Sequence, residues 1–319
     1  MPSSGSSERL SWKWLLAVFF LFILWSNSFH AIAWLRPKTT AWSLVVLRFA
    51  PVGLFCALWL GIREPRESLA ALRAHGGRIL AMGILMVPVY NVALNWGQGQ
   101  VPAGTASLLI ALNPIFTYVI AMCIGQESPR WRKTAGLLLS LVAVYFLLRF
   151  EGRAFGGAYV VRALAVLSAP LSWALATVLG RPLVQRESPL RVTYLSLVVG
   201  SAPFMVWAAL DPTIGSQASR FDLADWSALA HLSILCTIVG FAIWYAALRR
   251  LPASSVAAFV LLNPPFTVLF GPIWGSPPAS WASLVFGAIV LSGVALAVTA
   301  SGSPGTTGAR SRIDPVVRS

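Results

Sequence analysis

Long stretches without a charged side chain are the feature that most constrains this chain. No Asp, Glu, Lys or Arg occurs at residues 79–126 or at residues 251–309. A helix crosses a bilayer with about 20 apolar residues, so each stretch is long enough for two crossings joined by a turn. Sequences rich in Gly and Pro, which favour turns, lie inside both stretches, at 96–102 and 274–278. The pattern predicts a polytopic membrane protein.

The composition supports this prediction and excludes several other classes. Hydrophobic residues make up 57% of the chain and charged residues 11%, against about 25% charged in soluble globular domains. The net charge of +14 comes from basic residues in short loops between apolar runs, which is typical of membrane proteins rather than of proteins that bind nucleic acid. The three cysteines lie within apolar runs, so neither a disulfide framework nor a metal site is expected, and no cofactor is.

The apolar runs predict an all-α fold with ten transmembrane helices. We expect them near 12–33, 39–61, 76–97, 102–124, 132–149, 158–180, 189–210, 226–248, 252–274 and 279–300. One alternative concerns the first run, because Ala31-Ile32-Ala33 also resembles a signal-peptidase site. Cleavage there would leave nine spans and remove the first member of the repeat described below.

The distribution of basic residues predicts the orientation in the membrane. With the N-terminus inside, the inner segments hold 17 Lys and Arg and the outer segments hold 6. The outer loop at 211–225 also carries Asp211, Asp222 and Asp225. The positive-inside rule therefore places both termini in the cytoplasm.

An internal repeat divides the chain into two halves. Asn113-Pro114 with Phe116-Thr117 and Gly125 recurs as Asn263-Pro264 with Phe266-Thr267 and Gly275, always 150 residues later. We expect five-span repeats at 12–150 and 158–300, followed by a disordered cytoplasmic tail at 301–319. Because five is odd, the second repeat must enter the membrane upside down relative to the first. Inverted repeats are typical of secondary transporters, whose binding site lies near the midplane between the halves.

Several short motifs resemble the drug/metabolite transporter superfamily, in particular its EamA type. They are Leu24-Trp25-Ser26-Asn27-Ser28, Leu47-Arg48-Phe49, Gly136, Gly287 and the proline-centred segment 103–125 with its repeat at 253–275. The resemblance covers residues 12–300. It implies ten spans in two repeats, a central cavity, export or exchange of small metabolites, and a location in the cytoplasmic (inner) membrane of a bacterium.

Arg48 is the only charged residue well inside a predicted span. An Arg at the centre of a membrane helix costs roughly 2.5–3.5 kcal/mol on insertion scales, so it normally has a function or a partner. Arg48 either attracts an anionic or zwitterionic substrate group or braces neighbouring helices, and the sequence leaves both open.

Further polar and aromatic residues are candidates for lining a cavity. Asn91 and Asn95 share one face of a helix, where they either line the cavity or bond another helix. The other candidates are Asn27, Asn113, Trp173, Tyr245 and Asn263. Pro114, Pro264 and Pro265 interrupt two spans at matching depth, either as hinges for alternating access or as fixed kinks.

A secondary transporter, an exporter or an exchanger, is the function these observations favour. Its expected partners are the lipid bilayer and a small-molecule substrate. A membrane-embedded enzyme is the first alternative, but no predicted span contains the acids or the His cluster that such chemistry needs. A membrane scaffold without transport activity is the second. The substrate, the coupling ion and the oligomeric state, including a homodimer, are left open.

Overall fold

A computed structural model describes residues 12–125, 130–250, 256–257 and 259–299, and within these ranges the chain is helical and contains no strand. The predicted tail at 301–319 and the start of the predicted ninth span lie outside the described residues. The long helical segments are α1 (Trp12–Leu35), α2 (Ala41–Arg63), α3 (Pro65–Gly97), α4 (Ala103–Cys123), α5 (Trp131–Phe155), α6 (Gly157–Arg186), α7 (Pro189–Leu210), α8 (Leu223–Arg250), α9 (Phe259–Trp274) and α10 (Trp281–Thr299).

Eight of these segments, α1 to α8, are long and apolar enough to cross a membrane. The apolar parts of α9 and α10 are shorter and lie within the last two predicted spans. The fold is therefore that of a polytopic, all-helical membrane protein. Helix α3 begins earlier than predicted, but the backbone leaves the helical region at His75, beside the predicted start of the span at 76.

Two helices widen into π-helical turns at related positions. Helix α3 contains the π-helical segment Leu85–Val89, and α8 contains the segment His231–Val239. In α3 the cause is Pro88, because a proline lacks the backbone N–H and its ring displaces the preceding turn. Both segments require side chains or neighbouring helices to satisfy backbone groups in the apolar interior.

The predicted proline breaks in α4 and α9 are present. In α4 the helix ends at Ile110 and resumes at Asn113, and in α9 a 3-10 turn passes into a regular helix at Asn263. Pro114 and Pro264 lie in the first turn of the resumed helices, where a proline leaves no N–H unpaired. Gly125 and Gly275 follow these helices with φ of 71° and 63°, a conformation that glycine adopts without strain.

The helices pack in pairs related by the repeat. Helix α1 contacts α9 and α8, and the corresponding helix of the other half, α6, contacts α4 and α3. Helix α2 packs along α7, and α5 packs along α10. In the last pair the Ser140 hydroxyl donates a hydrogen bond to the Val290 carbonyl, 150 residues away.

Helices α3 and α7 approach so closely that their contact requires glycine. A Cβ at Gly83 would lie 2.5 Å from the Ser196 carbonyl oxygen and 2.9 Å from the Gly200 nitrogen. Small residues at such crossings let helix backbones meet, which is how membrane helices gain packing energy without a hydrophobic effect between them. Gly83 and Gly200 thus bring the π-helical segment of α3 against α7.

We expect Gly200→Ala to lower the free energy of unfolding by about 1–3 kcal/mol, because the added methyl group would overlap the Gly83 backbone. Thermal unfolding of the detergent-solubilised protein would measure the loss. Gly61→Ala is the matched control, since nothing lies within 4 Å of a Cβ at that position. Equal unfolding temperatures for the two variants would contradict the close packing of α3 and α7.

Candidate functional site

Arg48 lies at the centre of the molecule, where α2 faces α3 and α8. Its side chain is buried, with 5% of the residue surface exposed. The guanidinium donates to the Thr237 hydroxyl from Nε at 3.0 Å and from Nη2 at 2.8 Å, and Nη1 donates to Asn91 Oδ1 at 3.2 Å. Among the described residues no carboxylate lies within salt-bridge distance of Arg48. Its charge is therefore held by neutral oxygen atoms.

The two residues that hold Arg48 also satisfy the π-helical segments. The Asn91 amide nitrogen donates to the carbonyls of Met86 and Val87, and the Thr237 hydroxyl donates to the carbonyl of Leu232. Each residue therefore donates to the widened backbone of its own helix and accepts from Arg48. This arrangement ties α2, α3 and α8 together through one cation.

A cavity of about 40 Å³ lies beside Arg48, large enough for a few water molecules. A metabolite of several heavy atoms needs more room than this cavity offers in the described conformation. The lining comes from α1, α2, α3, α4, α6, α8 and α9, and its residues are Trp25, Ser28, Phe29, Arg48, Tyr90, Leu94, Ile110, Asn113, Pro170, Trp173, Cys236, Phe241, Val260 and Asn263.

The broken helices α4 and α9 bring Asn113 and Asn263 to this cavity. Both side chains are buried, and the Oδ1 atom of each is without a hydrogen-bond partner. The Asn113 amide nitrogen donates to the Pro170 carbonyl at 3.1 Å, which leaves its oxygen as the free acceptor. A buried amide oxygen without a partner is costly, so these two atoms are suited to accept hydrogen bonds from a bound molecule.

Aromatic rings form much of the remaining wall. Trp173 contacts Trp25 edge to face with ring centroids 5.5 Å apart, Phe241 at 4.8 Å and Tyr90 at 5.3 Å. The Trp25 indole N–H donates to the Cys236 carbonyl, within the π-helical segment of α8. The aromatic wall is thus anchored to the same segment that positions Thr237.

Four predicted site residues lie outside the cavity lining. Asn91 accepts a hydrogen bond from Arg48 without lining the cavity. The Asn95 amide nitrogen donates to the Asn91 carbonyl. Asn27 accepts from the Trp274 indole, which joins α1 to the end of α9. The Tyr245 hydroxyl contacts the Met86 sulfur at 3.2 Å. Arg48, Asn113, Trp173 and Asn263 are the predicted residues that line the cavity, and Pro114 lies one residue after Asn113.

No signal in the sequence identified Tyr90, Phe241 and Cys236 as lining residues. They are apolar or aromatic residues within apolar runs, and only the packing of helices shows which rings face a cavity. Thr237 carried a weak signal, as a polar residue within the eighth predicted span. Its role as an acceptor for Arg48 depends on the π-helical turn.

The fold and this site define a class of protein: a helical membrane protein with a central, mostly apolar cavity that holds one cation and two free amide oxygens. The model of the EamA-like transporter family matches residues 12–149 and again residues 161–299. The chain belongs to the EamA-like transporter family, and it is a membrane transporter rather than an enzyme.

Relatives whose names describe transporters agree with this assignment. The chain is 32% identical over 301 residues to the "Probable terminal-alkyne amino-acid exporter" of Streptantibioticus cattleyicolor, covering 91% of this chain and 93% of that protein. It is 27% identical to an "Uncharacterized transporter" of Archaeoglobus fulgidus, covering 90% and 98%. It is 28% identical to the "Probable amino-acid metabolite efflux pump" of Salmonella typhimurium, covering 69% and 73%.

A solved crystal structure has the same fold. Its TM-score to this chain is 0.61 at 20% sequence identity, covering 92% of this chain and 99% of the other. At this identity the likeness concerns the fold alone.

We expect Thr237→Val to lower the free energy of unfolding by about 1.5–3 kcal/mol, because two N–H groups of a buried cation lose their acceptor. Thermal unfolding would again give the measurement. Thr177→Val is the matched control, since the Thr177 hydroxyl is buried without a partner and its loss removes an unsatisfied group. If Thr177→Val were as destabilising as Thr237→Val, the Arg48 bridge would not be a stabilising element.

Proposed function

We propose that this protein is a secondary exporter or exchanger of a small zwitterionic or anionic metabolite related to amino acids. The observation that carries the proposal is Arg48, a buried cation beside the central cavity with no acidic partner in the described part of the chain. A substrate carboxylate would supply the missing negative charge. The relatives named "Probable terminal-alkyne amino-acid exporter" and "Probable amino-acid metabolite efflux pump" support this class of substrate.

Arg48 has unused N–H groups that fit a carboxylate. A guanidinium has five N–H groups, and three hydrogen bonds from Arg48 to protein atoms are present. The two remaining N–H groups belong to Nη1 and Nη2, the atoms that make paired bonds to carboxylates. Arg48 would thus brace three helices and bind the substrate with the same side chain.

Two other polar groups of the lining fit an ammonium. Asn113 Oδ1 and Asn263 Oδ1 are unpaired acceptors in the lining, contributed by the two repeats at matching positions. The rings of Trp25, Trp173 and Phe241 add an apolar wall that would contact a substrate side chain and attract a cation. A zwitterion would therefore place its carboxylate at Arg48 and its ammonium at the two asparagines.

We propose transport by alternating access between two inverted repeats of five spans. Two ion pairs support the inverted relation. Lys38, in the loop before α2, pairs with Asp225 at the start of α8 at 2.6 Å, and Arg191, at the start of α7, pairs with Glu64 directly before α3 at 2.7 Å. If α2 is matched with α7 and α3 with α8, the two ion pairs occupy corresponding positions in the two repeats. With ten crossings, the pairs would lie on opposite sides of the membrane.

The small cavity also supports alternating access, because the helices around Arg48 would have to move apart to admit a substrate. Helices α4 and α9 would bend at their breaks, which lie before Pro114 in α4 and before Pro264 and Pro265 in α9. We place the protein in the cytoplasmic (inner) membrane with both termini inside.

Arg48→Met is expected to reduce transport at least tenfold, because the substrate carboxylate loses its charged partner. Metabolite profiles inside and outside expressing cells would first identify the exported class, and counterflow in proteoliposomes would then give rates. Arg48→Lys keeps the charge but loses the paired N–H groups, so we expect an intermediate rate. Arg73→Met, at an exposed position on α3, is the control.

Each variant must be compared at equal folded yield, with its unfolding temperature measured. A folded Arg48→Met protein that exports the same class at the wild-type rate would overturn the role of Arg48 in binding. Export of only cations or neutral apolar compounds by the wild type would overturn the substrate class.

The orientation predicts which surface residues react from outside the cell. In a Cys123→Ala background, a cysteine at Ser216, in the short helix Pro212–Ala218, should react with a membrane-impermeant maleimide in intact cells. A cysteine at Glu67, in the first turn of α3, should react only after lysis. The reverse pattern would place both termini outside, and equal reactivity would contradict the ten-span topology.

A further inference from the structure

Two arginines converge on a bare glycine at one end of α3. Arg36 follows α1, and Arg162 lies in the second turn of α6. A Cβ at Gly99 would lie 3.2 Å from Arg36 Nη2 and 3.5 Å from Arg162 Nη1, so both guanidinium groups lie beside the space left by the missing side chain. The charges repel, and they are placed where a group with negatively charged oxygens would contact both.

The structure provides no negative partner for this pair within the described residues. Arg36 Nη1 donates to the Thr39 carbonyl and Arg162 Nη1 donates to the Trp96 carbonyl, both at the neutral backbone. The Nε of Arg36 is buried without any hydrogen-bond partner. Burial and the proximity of Arg162 lower the pKa of Arg36. An anion beside Gly99 would offset the repulsion between the two guanidinium groups.

The neighbouring cation, Lys38, has acidic partners of its own. Lys38 lies two residues after Arg36 in the same loop, and it pairs with Asp225 at 2.6 Å and with Asp222 at 3.4 Å. Acidic side chains are thus available at this end of the molecule, but they are directed to Lys38 and not to Arg36 or Arg162.

A shallow, widely open apolar groove adjoins the arginine pair. It is lined by Pro88, Val89, Val92, Ala93 and Trp96 along one face of α3. From Pro88 to Trp96 the helix rises about 12 Å, close to the roughly 15 Å thickness of the hydrocarbon in one leaflet. Trp96 joins the two features, because its ring lines the groove and lies 3.9 Å from the Arg162 guanidinium carbon.

We propose that this groove and the Arg36–Arg162 pair form a binding site for one phospholipid with a net negative headgroup. One acyl chain lies along Pro88, Val92 and Trp96, and the phosphate lies between the two guanidinium groups beside Gly99. Basic pockets between membrane helices bind anionic lipid headgroups. Under the proposed topology the lipid belongs to the outer leaflet. The site is separate from the central cavity and does not depend on the transported substrate.

The experiment uses the full-length protein in an uncharged detergent and compares dioleoyl phosphatidylglycerol with dioleoyl phosphatidylcholine. Native mass spectrometry gives the affinity of each lipid, and thermal unfolding gives the stabilisation. The wild type should bind phosphatidylglycerol at least about tenfold more tightly than phosphatidylcholine. Arg36→Gln with Arg162→Gln should remove this preference. Arg220→Gln, at an exposed position on the loop before α8, should retain it.

A second variant tests the groove without changing a charge. Ala93→Phe should fill the groove and weaken phosphatidylglycerol binding, and it remains informative if the double arginine variant fails to fold. The single variant Arg36→Gln tests the headgroup contact if the double variant fails to fold. It removes only one hydrogen bond within the protein, from Arg36 to the Thr39 carbonyl.

Three results would overturn the proposal. The first is an unchanged preference for phosphatidylglycerol in folded Arg36→Gln or in the double variant. The second is undiminished phosphatidylglycerol binding by Ala93→Phe. The third is stabilisation by soluble glycerol 3-phosphate equal to that by phosphatidylglycerol, which would identify a site for free phosphate groups.

Discussion

The burial of one arginine among neutral oxygen atoms is the constraint on which the centre of the protein depends. Arg48 has no carboxylate partner in the described residues, so its charge must be balanced by oriented oxygen atoms of Thr237 and Asn91. Both of these residues also donate to carbonyls of π-helical turns. Thr237 and Asn91 therefore connect the π-helical turns to Arg48, and Arg48 lines the cavity.

The need to pair buried polar groups also explains where the helices break. Inside a membrane every backbone group needs a partner within the protein, so a helix can break only where a cavity or a neighbouring helix receives its ends. Asn113 and Asn263 stand at the two breaks and leave one amide oxygen each without a protein partner beside the cavity. Close packing elsewhere, as between Gly83 and Gly200, holds α3 against α7.

Sequence reasoning predicted part of the candidate site. Arg48, Asn113 and Asn263 stood out because a cation or an amide within an apolar run is costly and needs a reason. Tyr90 and Phe241 did not stand out, because an aromatic residue in an apolar run is ordinary whether it faces lipid, a helix or a cavity. Helical spacing shows whether two side chains lie on the same face of a helix. It does not show whether that face contacts lipid, another helix or a cavity.

The sequence by itself determined the class of fold, the membrane location and the internal repeat, because charge-free runs and a constant offset of 150 residues are properties of the chain alone. Only the tertiary structure decided which residues meet. It brought Arg48 to Thr237, 189 positions away, and Arg36 to Arg162. The physical reason is that these meetings depend on helix crossings, π-helical turns and missing side chains, which arise when the helices pack.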